Sequence, residues 1–143
     1  MSYLRISAND GLYYEHDAPS GTDAPTFVFV NPVSGTAQQW QQDVGPALRD
    51  AGYGTLAYNF RGHPDSPFSP GTALNDTLIA GDLRLIIETL EIKRPVLVGL
   101  SIGGLFATQS HLAGLDVVGL VLINTLQAVE PRSSKPLSTS PPV

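Results

Sequence analysis

The stretch Pro95-Val96-Leu97-Val98-Gly99-Leu100-Ser101-Ile102-Gly103-Gly104 decides how the chain is read. Its first five residues form an apolar run of the kind that fills a strand buried on both faces. The residues from Ile102 to Ala113 then repeat apolar side chains at helical spacing. A glycine-flanked serine between a buried strand and a helix is the context that a nucleophile elbow requires. In such a turn the central residue takes a strained backbone conformation. Gly99, Gly103 and Gly104 are expected where Cβ atoms would collide with the adjoining strand and helix. The Ser101 hydroxyl is thereby pushed clear of the backbone, and the Ile102 N–H becomes an unpaired donor at the positive end of a helix. Two other glycine motifs fail letter by letter. A dinucleotide fingerprint needs glycine where Ser101 stands, and a phosphate-binding loop needs lysine where Leu105 follows Gly104.

Working outward, the pattern alternates between short apolar runs and helix-period segments. Leu4–Ser7 and Leu12–His16 flank Asn9-Asp10-Gly11, which predicts an opening antiparallel hairpin. Phe27–Val30 is a second buried run, ended by Asn31-Pro32. From Gln38 to Ala51 the residues Trp40, Val44, Ala47, Leu48 and Ala51 predict one helix, with Gly52 just past its end. Tyr53–Phe60 predicts a strand, followed by the turn-rich Arg61-Gly62-His63-Pro64-Asp65-Ser66-Pro67. Leu78, Ile79, Leu83, Ile86, Ile87 and Leu90 mark the apolar stripe of a further helix, and Val117–Ile123 a last strand. Strands alternating with helices imply an α/β fold with a mostly parallel, doubly wound sheet of about six strands. Residues 1–130 are expected to form the domain. Residues 131–143, with four prolines and five Ser or Thr, are expected to form a disordered tail. An apolar edge strand at Val117–Ile123, without proline or charge, would invite pairing, so an incomplete domain is expected.

Composition narrows the function classes. The 143 residues are 42% hydrophobic and 15% charged, which is globular rather than disordered. Eight basic against thirteen acidic residues give a net charge of −5, and there is no basic run, so neither nucleic acid nor an anionic membrane is an expected partner. With no cysteine, thiolate metal sites, disulfides and a cysteine nucleophile are all excluded. No metal and no organic cofactor is implied. The N-terminus has no signal-peptide pattern, and no apolar run has membrane-spanning length, so a cytoplasmic location is expected.

With the elbow and this order of elements, the chain resembles the α/β-hydrolase fold superfamily over roughly residues 3–130. In that family a central strand ends in His-Gly before the residue whose N–H completes the oxyanion hole, and a Trp begins the next helix. The matching stretch here is Asn31-Pro32-Val33 with Trp40, so the resemblance implies oxyanion donors at Val33 and Ile102. Arg61-Gly62-His63 with Ser66 resembles the family's Arg-Gly-x-Gly-x-Ser loop, which gives structural support, and Pro64 stands where glycine is common. The family's triad runs Ser, then Asp or Glu, then His. After Ser101 this chain has only His111, ten residues along the same helix and about 15 Å away at 1.5 Å per residue, too far to act as base. His63 lies at the carboxyl ends of the strands, on the side of the serine. His16 is expected at the solvent-exposed end of the hairpin, Asp116 at the far edge of the sheet and Glu130 on the near side.

The resemblance implies a serine-nucleophile hydrolase of esters, lactones or similar small carbonyl substrates, with Ser101 as catalytic residue. With its triad incomplete, the isolated chain is expected to be nearly inactive, and its ending to reflect a truncated or frame-shifted chain. Two alternatives stay open: a non-catalytic interaction module pairing through Val117–Ile123, including with a second copy, and a split enzyme completed by another polypeptide.

Overall fold

A computed structural model describes residues 2–125. Six strands form one sheet: β1 (Ser2–Arg5), β2 (Gly11–Asp17), β3 (Thr26–Val30), β4 (Gly54–Tyr58), β5 (Pro95–Leu100) and β6 (Gly119–Ile123). Their spatial order is β1-β2-β4-β3-β5-β6, with β1 and β2 antiparallel to their neighbours and β3 to β6 mutually parallel. This is the mostly parallel α/β sheet expected from the sequence, with its antiparallel hairpin at one edge. No helix among the described residues is long and apolar enough to cross a membrane.

The period-2 alternation of each strand builds a separate core on each face. Val28, Val30, Leu56, Tyr58 and Leu97 meet helices α3 (Asp76–Thr89) and α4 (Ile102–Leu112) through Ile79, Leu83, Ile86 and Phe106. On the opposite face Tyr13, Phe29, Ala57 and Val98 meet helices α1 (Ala37–Asp43) and α2 (Gly45–Asp50) through Ala37, Trp40 and Leu48. Burial on both faces explains the uninterrupted apolar runs of β3 and β5.

Two local expectations are corrected. The helix predicted over Gln38–Ala51 is two helices joined at Val44, with Pro46 in the first turn of the second. Proline has no N–H and its ring clashes with the carbonyl four residues back, so a continuous helix through position 46 is excluded. The hairpin strand expected at Leu4–Ser7 lies at Ser2–Arg5, because residues 6–10 form a wider turn. There the Ile6 and Ser7 N–H groups both donate to the Asp10 carbonyl, and the Ser7 hydroxyl donates to the Asp10 carboxylate. Asn75 proves to be the cap of α3: its side chain accepts from the Leu78 N–H at 2.9 Å.

Candidate functional site

Between β5 and α4 the chain turns through a single residue, Ser101, at φ 55° and ψ −123°. An L-residue rarely adopts this conformation, and it persists only where the surroundings impose it. Here the imposing contacts are visible. The Ser101 N–H continues the ladder to β6, donating to the Ile123 carbonyl at 2.9 Å, while the next residue already belongs to α4. A Cβ on Gly103 would lie 2.7 Å from the Asn31 carbonyl oxygen and closer still to that of Val30. A Cβ on Gly99 would lie 2.6 Å from the Gly103 carbonyl oxygen and press on the Gly104 backbone. The start of α4 thus rests directly on the end of β3, and only glycine permits that approach. A Cβ on Gly104 would meet the Thr125 side chain, a neighbour better able to move.

The loop after β3 is held from beneath by Asn31. Its Nδ2 donates to the Tyr58 carbonyl at 2.9 Å and to Asn59 Oδ1 at 3.1 Å, while its Oδ1 accepts from Trp40 Nε1 at 2.9 Å. Trp40 in turn stacks on Phe29, with ring centroids 4.7 Å apart. Asn59 carries the network onward, accepting from the Ala37 N–H at 2.8 Å and donating to the Pro64 carbonyl at 2.9 Å. These two fully buried asparagines tie the loops after β3 and β4 to each other and to α1 at the carboxyl ends of the strands. Sequence reasoning singled out neither for this work. The available signal was an asparagine directly after the apolar end of a strand in both β3 and β4.

Above this support stands Val33, with its side chain 70% exposed. Neither its amide nor that of Ile102 donates a hydrogen bond among the described residues. The Val33 carbonyl is 2.8 Å from His63 Nε2, so this ring nitrogen carries the proton and donates. The imidazole lies against Phe60 at a centroid distance of 3.7 Å, and its Nδ1 is buried without a partner among the described residues. Burial holds the His63 pKa below its ordinary value, opposed by the hydrogen bond to Val33.

The rest of the Arg61–Ser66 loop is anchored by buried polar contacts. Arg61 is buried and donates two hydrogen bonds to Asp82 of α3, at 2.8 and 2.6 Å, with Asp10 of the hairpin turn at 3.5 Å. The bonds to Asp82 raise its pKa further. The Ser66 hydroxyl accepts from the Tyr13 N–H at 2.9 Å and donates to the Asn59 carbonyl at 2.5 Å. Beside Val33, Ile102 and His63 opens a cavity of about 490 Å³, lined mainly by apolar side chains.

The remaining candidates lie elsewhere. His111 is exposed in the last turn of α4, its Nδ1 3.2 Å from the Leu115 carbonyl, at the opposite end of that helix from Ser101. His16 is on β2 and pairs in register with Leu56, and burial lowers its pKa. It is half-buried rather than exposed as expected. Asp116 precedes β6, and Glu130 lies outside the described residues, as does the segment 131–143. Among the described residues no three His, Asp or Glu side chains converge as metal ligands, and none hydrogen-bonds to the Ser101 hydroxyl.

Comparison with known proteins agrees with the fold. The model of the alpha/beta hydrolase family matches residues 27–142. A protein of Variovorax paradoxus (strain S110) named "Putative carbamate hydrolase RutD" is 32% identical over 127 residues, covering 87% of this chain and 46% of the relative. A hydrolase from Pseudomonas aeruginosa superposes with a TM-score of 0.75 at 27% identity, over 91% of this chain and 48% of that one. An esterase from Exiguobacterium antarcticum shares the fold with a TM-score of 0.73 at 21% identity, over 87% of this chain and 45% of that one. The chain spans just under half the length of the relatives it matches.

Proposed function

The chain belongs to the alpha/beta hydrolase family, and on that premise we propose that it carries the nucleophile half of a serine hydrolase acting on esters, lactones or related small carbonyl compounds. Ser101 is the nucleophile, and the amides of Val33 and Ile102 are the oxyanion donors. The observation that carries this reading is the single-residue turn at Ser101, held at positive φ with a helix N-terminus directly behind it. A turn without chemical duty has no reason to keep a serine where glycine is strain-free. In the reaction the Ser101 oxygen bonds to the carbonyl carbon, the carbonyl oxygen takes negative charge and the leaving group departs with a proton. Water then releases the acyl group and restores the hydroxyl. Donors already fixed on rigid backbone lower the cost of that charge most when water is excluded. The similarity to a protein named as a carbamate hydrolase supports a carbonyl substrate of this kind.

The test is intact mass of the chain after exposure to a fluorophosphonate, with Ser101→Ala as control. With no base on the Ser101 hydroxyl among the described residues, labelling is expected to be slow, and a single adduct formed on prolonged exposure and abolished by the substitution is the expected result. A folded chain that forms no adduct overturns the catalytic reading.

A second reading is favoured by one observation. Val118, Val121, Leu122 and Ile123 are each between 41% and 51% exposed, and among the described residues β6 pairs only with β5. Pairing of Val117–Ile123 with another strand, including that of a second copy, would cover this apolar edge. Sedimentation at rising concentration tests it: self-association lost in Leu122→Lys supports pairing, and a monomer throughout removes it.

A further inference from the structure

A separate cavity of about 190 Å³ opens at the amino ends of the parallel strands, between the segment from His16 to Thr26 and the segment from Leu90 to Arg94. β3 begins there at Thr26, in register with Gly54 at the start of β4 and with Pro95 at the start of β5. Arg94 and Ser101 stand beyond opposite ends of β5, about 23 Å apart at about 3.3 Å per residue. Ligand crevices of open α/β sheets lie at the carboxyl ends of the strands. This cavity is therefore not an extension of the site around Ser101.

Its lining combines an apolar wall with unpaired donors. Leu90 and Ile92, packed against the core on the α3 and α4 face, and Ala24 supply the wall. Lys93 and Arg94 supply charge, and neither makes an ion pair among the described residues. Glu91 is the one carboxylate in the lining, so cations outnumber it two to one. The backbone N–H groups of Lys93 and Arg94, consecutive in the chain, also donate to nothing among the described residues. Successive free N–H groups at a bend of the chain form a concavity suited to anions. Thr26 is only 4% exposed, yet its hydroxyl has no hydrogen-bond partner among the described residues. A Cβ on Gly54 would press on that hydroxyl and lie 2.8 Å from Pro19 Cδ, so glycine at the start of β4 leaves the hydroxyl its room.

We propose that this cavity binds a short-chain monocarboxylate, its carboxylate group held by Lys93, Arg94 and their amides and its alkyl part lying against Leu90, Ile92 and Ala24. The volume is below that of pockets that enclose larger organic ligands, so a chain of a few carbons fits. An inorganic oxyanion gains nothing from the apolar wall. An uncharged alcohol or amide gains nothing from the two cations. Binding here is independent of what Ser101 does at the other end of β5.

The test is titration of the whole chain with butyrate, followed by the NMR methyl signals of Leu90, Ile92 and Ala24. Saturable shifts are expected, with butyramide and inorganic phosphate each weaker by about tenfold or more. Lys93→Gln and Arg94→Gln, both at exposed positions where the fold tolerates change, should each weaken butyrate by about threefold or more. Thr26→Val, which keeps the shape and removes the hydroxyl, should weaken it by about twofold or more. Ser101→Ala should leave the affinity as it is. Shifts that do not saturate, equal affinity for butyrate and butyramide, or affinity untouched in both charge variants overturns the site. Phosphate binding more tightly than butyrate overturns its selection for a carbon chain. None of these outcomes depends on whether Ser101 takes up a fluorophosphonate, so the two readings fail separately.

Discussion

The His63 imidazole donates to the Val33 carbonyl across 2.8 Å, so the loop after β4 holds the loop after β3 in place. Because a peptide unit is planar and rigid, holding a carbonyl also limits how the neighbouring amides can turn. Loss of this bond in His63→Ala is expected to cost about 1 kcal/mol of stability. NMR order parameters of the Val33 and Ser34 amides should fall in His63→Ala while those of the β3 amides stay unchanged. Equal order parameters in both proteins would show that Asn31 alone sets the loop.

Stability should fall on mild acidification. Burial lowers the pKa of both His63 and His16 from the ordinary value of 6.5, so the unfolded chain binds protons that the folded chain refuses. The contribution is complete above 6.5 and is lost as pH falls through 6.5 toward the folded values. For His63 the cause is concrete, since a proton on the buried Nδ1 meets no acceptor among the described residues. Urea midpoints measured from pH 7.5 to 5 should drop, with a shallower drop in His63→Gln and in His16→Gln. An unchanged slope in both variants contradicts this.

Ser101→Gly should be more stable than the parent chain by about 1 kcal/mol. Positive φ costs an L-residue about 1–3 kcal/mol, and glycine gives back about 0.5–1 kcal/mol through the freer unfolded chain. Ser101→Ala keeps the Cβ and should show no such gain. Thermal unfolding of the three proteins compares them directly, and a Ser101→Gly chain no more stable than Ser101→Ala would mean the turn is not strained.

Arg61 and Asp82 form the costliest polar pair to break. Removing one partner leaves a charge buried between α3 and the sheet, and such losses run to about 3–5 kcal/mol. Arg61→Met and Asp82→Leu are each expected to show it in denaturant unfolding. Their combination should cost clearly less than the two losses added, because no buried charge is then abandoned by its partner on α3. Additive losses would place the energetic role of Arg61 with Asp10 instead.

Gly103→Ala should destabilise by about 1–3 kcal/mol or more, since its Cβ would drive α4 off the end of β3. Circular dichroism melts would show this. A neutral substitution would mean that α4 can slide without consequence.

The sequence by itself determined the α/β order, the position of the strained serine and the glycines around it. Apolar period, turn residues and Gly-x-Ser-x-Gly spacing are local properties, carried by residues a few positions apart. It misjudged the segment 38–51, where apolar spacing outweighed the proline at 46, although that too was a local signal. What only tertiary structure decided is long-range: Asn31 meeting Asn59, His63 finding Val33, and Arg61 bridging Asp82 and Asp10. These partners come from different loops and helices, 21 to 51 positions apart in number, and no period links them. They meet because a parallel sheet brings the carboxyl ends of its strands to one edge, where each buried polar group must find a partner the chain order does not name.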